Sequence, residues 1–300
     1  MTASRSRILL AFAIVYLVWG STYLAIRVMV EVLPPLLSAG LRFLFAAALL
    51  LGYCFWRGDR LPRGAANWRH LALSGVLMLA AANGLVTWAE QWVDSNQAAL
   101  IVATSALWLG WMGTRGPSGQ ALSPGTIAGL VLGFGGVALL VGEGLGAGLA
   151  PWQAYVGLQV SSLCWAFGSI YSKRHPVQAP PLMTASLQML VAGLLMSALG
   201  LLHGDLARWR WELEPLLALA YLTVLGSCLA YGCYFWLVHQ VTPAQLGTYA
   251  YVNPAVAVLL GWWWLDERLG PLQVIGTLVI LLGVVLVTLS SRPPRPAPAR

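Results

Sequence analysis

The chain has 300 residues, of which 59% are hydrophobic and only 9% are charged, and its formal net charge is +7. A soluble protein carries roughly 25% charged residues, so this composition excludes an ordinary soluble domain. The positive charge does not indicate nucleic-acid binding, because the arginines are scattered through short loops and form no basic face interleaved with aromatic residues.

Apolar runs follow one another along the whole chain. Each is about 20 residues long, which is the length a helix needs to cross the hydrocarbon core of a bilayer. Backbone groups inside a bilayer must be paired, and unbroken runs of this length favour helices over alternating strands. We therefore predict an all-α membrane protein with ten transmembrane helices. The predicted spans are 8–29, 36–56, 68–88, 95–113, 122–141, 152–172, 182–202, 215–238, 243–264 and 271–289.

The segments between the spans are short, and residues 290–300, rich in Pro and Arg, are predicted to form a disordered cytoplasmic tail. An N-terminus in the cytoplasm puts most of the 17 Lys and Arg residues in cytoplasmic segments, in agreement with the positive-inside rule. We therefore expect a multi-pass protein of a bacterial inner (plasma) membrane with both termini in the cytoplasm.

The sequence contains an internal repeat, with an offset of 146 residues that becomes 147 near the end of each half. The aligned pairs are Trp19 and Trp165, Pro34-Pro35 and Pro180-Pro181, Pro124 and Pro271, Gly129 and Gly276, and Gly136 and Gly283. The predicted repeats are residues 8–141 and 152–289. Each holds five spans, an odd number, so the second repeat is predicted to be inverted relative to the first. Inverted repeats are typical of transporters that open a central site to each side in turn.

Four segments resemble the EamA family of the drug/metabolite transporter superfamily: residues 18–23 (VWGSTY), 164–169 (CWAFGS), 249–257 (YAYVNPAVA) and 266–269 (DERL). The resemblance implies the EamA fold, with ten spans in two repeats, and an exporter of amino acids, metabolites or drugs. Within the family, the chain is similar to bacterial exporters of aromatic amino acids and related compounds.

Two tryptophans, Trp19 and Trp165, lie in the middle of their spans, although tryptophan prefers the headgroup region. Because the repeat relates them, we expect both near the pseudo-two-fold axis, in a cavity among spans 1, 3, 4, 6, 8 and 9. The alternative for the two tryptophans is a lipid-facing or packed position. Asn83 lies mid-span and faces either this cavity or a neighbouring helix, to which its amide would then be hydrogen-bonded. The predicted substrate-binding residues are Trp19, Tyr23, Asn83, Trp108, Trp165, Tyr234, Tyr249 and Asn253.

Three further residues are predicted to have gating or structural roles. Arg42 is a charge well inside a span, so we expect it to pair with Glu31, with Glu90 or with a substrate carboxylate. Glu90 is expected in an outer vestibule. The Asn253-Pro254 pair predicts a kink in span nine, because proline removes a helical hydrogen bond; this kink would act as a hinge, line the substrate path or be purely structural.

The sequence favours an exporter of small amphipathic solutes, above all aromatic or hydrophobic amino acids, that works by alternating access. We expect it to be facilitative, because no acidic residue is predicted at mid-membrane. The alternatives are a proton-coupled exporter of cationic or multidrug compounds, a membrane-embedded enzyme acting on lipid-linked substrates, and a non-transporting scaffold. No Walker, zinc-ligand or dinucleotide motif is present, so we predict no enzyme activity, no cofactor, no metal and no nucleic-acid partner. The expected partners are a small-molecule substrate and the lipid bilayer, and the expected oligomeric state is a monomer or homodimer.

Overall fold

The computed structural model describes residues 4–93, 95–115, 119, 121–142, 151–256 and 271–290. The regular structure of this part of the chain is helical. The helices are α1 (Arg5–Val30), α2 (Pro35–Trp56), α3 (Ala65–Ala89), α4 (Ser95–Ala103), α5 (Ser105–Gly113), α6 (Pro124–Gly142), α7 (Trp152–Arg174), α8 (Pro181–Leu202), α9 (Leu213–Val238), α10 (Pro243–Leu246), α11 (249–256) and α12 (Pro271–Ser290). A short 3-10 helix, Asp205–Arg208, lies between α8 and α9.

Five helices, α1, α2, α3, α8 and α9, are each long and apolar enough to cross a membrane. Large apolar side chains cover their outer surface; Leu10, Leu49 and Leu202 are each more than half exposed. A surface of this kind is stable against lipid, where it needs no further protein cover. The structure therefore confirms an all-α membrane protein.

Helices α2 and α8 occupy equivalent positions in the two repeats and pack against each other along their length. Both begin with proline at the first helical position, where the missing N–H costs nothing. A Cβ placed on Gly193 would lie 2.8 Å from the backbone nitrogen of Leu44, and one on Gly200 would lie 2.8 Å from that of Leu37. The contact moves backward along α2 as it moves forward along α8, so the two helices are antiparallel.

Helices α6 and α12, the last of each repeat, form a second antiparallel pair. A Cβ on Gly129 would lie 2.7 Å from the carbonyl oxygen of Gly283, and a Cβ on Gly136 would lie 2.8 Å from that of Gly276. Since the offset of 147 residues maps Gly129 onto Gly276 and Gly136 onto Gly283, these two contacts are equivalent under the repeat. Small residues permit this close backbone approach between membrane helices, so the glycines serve packing within one chain.

The remaining contacts between the repeats are reciprocal. The first helix of the first repeat, α1, packs on α9, the third of the second; the third helix of the first repeat, α3, packs on α7, the first of the second. A pseudo-two-fold axis in the membrane plane produces this arrangement. It makes equivalent helices of the two repeats antiparallel, and it packs the first helix of each repeat on the third helix of the other. The second repeat is therefore inverted, as the odd number of predicted spans indicated.

Helices α3 and α9 each contain a π-helical segment, Val76–Asn83 and Leu222–Tyr231. The offset of 146 residues maps the start of the first segment onto the start of the second. A π segment shifts the backbone hydrogen bonds and is frequent at functional sites. Both segments lie at the centre of the molecule, where the repeats meet.

Spans four and nine are interrupted. The fourth is divided between α4 and α5 at Thr104, and the ninth between α10 and α11 at Gly247-Thr248. The chain is helical from 249 to 256, across Asn253-Pro254, and the turn before this helix lies about six residues earlier than Asn253, so the kink at Asn253-Pro254 stays a prediction. Gly247 contacts Ala106 closely at that turn, and the Thr248 side chain contacts Tyr16 Oη at 2.5 Å and donates to the carbonyl of Gln245.

Three sequence predictions fall outside the described residues: the end of span nine, the acidic turn at 266–269 and the tail at 291–300. The short segment 143–150 between the repeats also lies outside them.

Candidate functional site

A cavity of about 640 Å³, a volume that includes its open mouth, lies where α1, α2, α3, α4, α7, α9 and α11 meet. The second span also contributes, through Arg42 and Phe43, although the sequence predicted only spans 1, 3, 4, 6, 8 and 9. The lining residues are Trp19, Thr22, Tyr23, Ile26, Arg42, Phe43, Leu79, Ala82, Asn83, Val86, Val102, Ser161, Trp165, Gly226, Ser227, Tyr231, Tyr249 and Asn253.

Aromatic rings form one side of this cavity. Trp19 and Trp165 meet edge to face with ring centroids 5.4 Å apart, and Tyr249 lies 5.1 Å from Trp19, also edge to face. Such arrangements are favoured by the ring quadrupoles and fix the rings relative to one another. The predicted approach of the two repeat-related tryptophans is therefore present in the structure.

The two indole N–H groups are held by different partners. Trp19 Nε1 donates to the carbonyl of Gly226, within the π segment of α9, at 3.1 Å. Trp165 Nε1 donates to Tyr234 Oη at 2.9 Å, and Ser169 Oγ lies 2.8 Å from the same hydroxyl. These bonds satisfy buried polar groups and hold both rings against the cavity.

Arg42 is 4% exposed and lies in the cavity wall. Its Nε donates to Ser227 Oγ at 2.8 Å, and the guanidinium carbon lies 5.0 Å from the Phe43 ring centroid. Among the described residues, no carboxylate is within ion-pairing distance of Arg42, and no acceptor is recorded for its two Nη groups. Glu31, one of the predicted partners, pairs instead with Arg27 at 3.2 Å. A buried guanidinium without a carboxylate can accept an anionic ligand in bidentate geometry.

Gln188 is the repeat counterpart of Arg42 and is fully buried. Its Nε2 donates to Ser74 Oγ at 2.6 Å, and its Oε1 accepts from Tyr231 Oη at 2.7 Å. Both ends of this amide are therefore used within the protein. The two halves share a backbone arrangement but differ in charge at this position.

Two asparagine amides also line the cavity. Asn83 Nδ2 donates to the carbonyl of Met78, five residues earlier in the π segment, at 3.1 Å. Asn253 is 2% exposed, and its Oδ1 has no hydrogen-bond partner among the described residues. An unpaired buried acceptor costs about 1–3 kcal/mol, so the Asn253 amide is available to a ligand that can donate.

The sequence matches the EamA-like transporter family over residues 6–142 and again over 152–289. The chain belongs to the EamA-like transporter family. It is 40% identical over 278 residues to a protein of Escherichia coli (strain K12) named "Uncharacterized inner membrane transporter YedA", covering 91% of this chain and 88% of that protein. It is 26% identical to an "Uncharacterized transporter" of Archaeoglobus fulgidus, covering 95% and 98%.

A solved structure titled "Crystal structure of protein" superposes on this EamA protein with a TM-score of 0.81 and 22% identity, over 96% of this chain and 100% of that one. This likeness shows the fold alone. The family assignment makes the protein a membrane transporter, which implies a small-molecule substrate and a lipid environment.

The structure of this EamA protein brings six of the eight predicted binding residues and one further prediction, Arg42, to the cavity. Tyr23, Asn83 and Asn253 line it together with the two tryptophans and Tyr249.

The structure does not bring Trp108 or Tyr234 to the wall. Trp108 packs among Ala166, Ile170 and Met112, since the break at Thr104 separates its helix from α4. Tyr234 lies behind Trp165, as its hydrogen-bond partner.

Other residues of the cavity were missing from the predicted site, namely Thr22, Ser161, Ser227 and Tyr231. Their hydroxyl groups make them ordinary components of a membrane helix interface in sequence, so no motif could have singled them out. Glu90, predicted in an open vestibule, is instead fully buried.

Proposed function

We propose that this EamA protein carries small amphipathic carboxylates, above all aromatic and hydrophobic amino acids, through the central cavity without altering them chemically. The observation that carries the proposal is the composition of the cavity wall, where a cluster of aromatic rings and one buried guanidinium face the same space. An apolar side chain and a carboxylate on one small molecule match these two surfaces.

The charged end of an amino acid fits two groups that have no hydrogen-bond partner among the described residues, the Nη groups of Arg42 and the Oδ1 of Asn253. The Nη groups of Arg42 would bind the carboxylate, a charge-assisted interaction stronger than a neutral hydrogen bond. The Asn253 Oδ1 would accept from the ammonium group. Because Arg42 places positive charge in a low-dielectric wall, it disfavours a purely cationic substrate, which argues against a cationic-drug exporter.

The aromatic end of the substrate would lie against Trp19, Trp165 and Tyr249. Aromatic pairs contribute about 0.5–1.5 kcal/mol beyond area burial, so an aromatic side chain would bind more tightly than an aliphatic one of equal area. Specificity of this kind is graded, and we expect leucine to be carried more slowly than phenylalanine.

The inverted repeats support alternating access. Two similar bundles that pack through α2 against α8 and α6 against α12 can exchange conformations and open the cavity to either side. Solute flux then follows the concentration gradient, and a higher cytoplasmic concentration gives export across the inner membrane, toward the side opposite the two termini.

Reconstitution in liposomes tests this function. Purified protein should speed the entry of labelled phenylalanine relative to empty liposomes, and Arg42→Gln should reduce that flux by about 10-fold or more, since hydrogen bonds to charged groups contribute about 1.5–3 kcal/mol. Trp165→Ala should also reduce it. Arg69→Gln is the matched control, because Arg69 is exposed in the first turns of α3.

Phenethylamine, which has the same ring and ammonium but no carboxylate, should be a poor substrate whose residual flux is not reduced by Arg42→Gln. Equal phenylalanine flux with and without protein, or an unchanged flux in Arg42→Gln, would contradict the proposal.

A further inference from the structure

Glu90 directly follows α3 and is 0% exposed. Neither carboxylate oxygen has a hydrogen-bond partner in the described part of the chain. Glu90 lies one turn beyond Val86 and two turns beyond Asn83, both of which line the cavity, and its backbone N–H donates to the Val86 carbonyl at 3.0 Å. The spacing places the three residues on one face of α3, so Glu90 lies on the cavity side of the helix, one turn beyond the lining residue Val86.

Arg27 is already engaged at this end of the molecule. Its Nε pairs with Glu31 at 3.2 Å, and its Nη1 donates to the backbone carbonyl of Glu90 at 2.6 Å, so Arg27 is not paired with the Glu90 carboxylate. Both Arg27 and Arg42 interact electrostatically with Glu90, but of the two only Arg42 borders the cavity. The charged and titratable groups of the helices packed around Glu90 are Tyr23, Arg27 and Glu31 of α1, Arg42 of α2, Tyr155 of α7 and Tyr221 of α9. Asp94 lies outside the described residues.

The protonation state of Glu90 decides how much of the positive charge of Arg42 is available to a substrate carboxylate. Burial raises the pKa of the Glu90 carboxyl well above its usual range, with Arg27 and Arg42 opposing that rise. When Glu90 is neutral, Arg42 faces the cavity as an uncompensated cation. When Glu90 is ionised, its negative charge compensates the same guanidinium and opposes a second anion.

We propose that Glu90 is a proton-binding residue whose carboxylate competes with the substrate carboxylate for Arg42. Binding of one substrate carboxylate therefore takes up a proton from water onto Glu90. The proton returns to water when the substrate leaves and the Glu90 carboxylate again compensates Arg42. The inference rests on the proposed function and modifies it in one respect: solute and proton cross together in the same direction, so the proton gradient adds to the solute gradient in setting the direction of net flux.

The coupling has a definite sign. Substrate binding raises the proton affinity of Glu90, and by reciprocity protonation raises substrate affinity. Below the pKa of the carboxyl, Glu90 is already protonated, so binding takes up no proton and affinity does not depend on pH. Above it, binding must take up a proton, and the dissociation constant should increase up to 10-fold for each unit rise in pH.

The experiment measures phenylalanine binding to the purified full-length protein by tryptophan fluorescence, with proton uptake followed by an indicator dye in weak buffer. Over a range of pH values that reaches above the pKa of the Glu90 carboxyl, the wild-type protein should take up a fraction of a proton per phenylalanine bound. That fraction should rise toward one with pH while the affinity falls.

Glu90→Gln should bind phenylalanine with little or no pH dependence and no proton uptake, and at the upper end of the range it should bind more tightly than wild type. Glu31→Gln is the matched control and should keep the wild-type behaviour, because Glu31 is exposed and pairs with Arg27. The proton uptake of the wild-type protein is informative by itself if Glu90→Gln does not fold.

Two results would overturn the inference and are distinguishable from a failure of the proposed function. Phenylalanine binding without proton uptake at any pH would overturn the proton role and leave carboxylate transport standing. A Glu90→Gln variant with the wild-type pH slope would do the same. If phenylalanine and other carboxylates do not bind at any pH, the proposed function fails, and this inference fails with it.

Discussion

Replacing Gly136 by alanine should destabilise the fold, because the new Cβ would clash with the backbone of α12. The new Cβ would lie 2.8 Å from the Gly276 carbonyl oxygen and 2.8 Å from the Ile280 backbone nitrogen. Ordinary carbon contacts lie at about 3.5–4.0 Å, so α6 and α12 must separate by roughly 0.7 Å or more. Backbone atoms cannot rotate away as a flexible side chain can. Overpacking of this kind costs about 1–3 kcal/mol.

The control lies one residue earlier. A Cβ on Gly135 meets nothing within 4 Å, and alanine is intrinsically favoured over glycine in a helix by about 1 kcal/mol. Gly135→Ala should therefore be neutral or stabilising. Gly283→Ala, whose Cβ would lie 2.7 Å from the Gly129 carbonyl oxygen and 2.8 Å from the Gly133 backbone nitrogen, should match Gly136→Ala, because the repeat makes these contacts equivalent.

Unfolding by SDS titration in mixed micelles gives the free energy of unfolding for each variant. The reasoning is refuted if Gly135→Ala is as destabilising as Gly136→Ala. It is equally refuted if Gly283→Ala leaves the free energy of unfolding unchanged while Gly136→Ala lowers it.

Two further predictions concern stability. Gln188→Leu leaves Tyr231 Oη and Ser74 Oγ without their partner and should lower the free energy of unfolding by about 1–3 kcal/mol; an unchanged value in the same titration would contradict the assigned bonds. Burial, with a smaller contribution from Lys173, lowers the pKa of His239 from 6.5 to about 4. The unfolded chain therefore takes up a proton between these values while the folded protein does not, so stability should fall by about 1–2 kcal/mol from pH 7 to pH 5. The loss should be smaller in His239→Gln, and an identical pH profile would exclude this cause.

The arrangement of the two halves could be predicted from sequence because a repeat states directly which positions are equivalent. The offset that aligned Gly136 with Gly283 is the one that makes the two α6–α12 contacts equivalent. The same reasoning predicted that Trp19 and Trp165 approach each other. The length of the apolar runs was sufficient to predict membrane-spanning helices, since a helix must reach a minimum length to cross a bilayer.

The details of the cavity wall could not be predicted in this way. A π segment changes which carbonyl accepts each N–H, and hydrophobic periodicity does not record that change. The segment at Leu222–Tyr231 alters the helical phase of α9, so that Tyr231 lines the cavity while Tyr234 lies behind Trp165. The burial of Glu90 was missed for a related reason, since its place at the end of a span indicated solvent and only the packing around it shows otherwise.

The repeat makes the scaffold nearly symmetric, while the cavity is not. At equivalent positions of α2 and α8, one half has Arg42 facing the cavity and the other has Gln188 bonded on both sides within the protein. An arginine at both positions would bring two like charges to one low-dielectric centre, where their repulsion is poorly screened. A glutamine at both would leave the cavity without charge. Symmetric packing can therefore provide the two exchangeable conformations, and the single arginine accounts for the proposed preference for an anionic group.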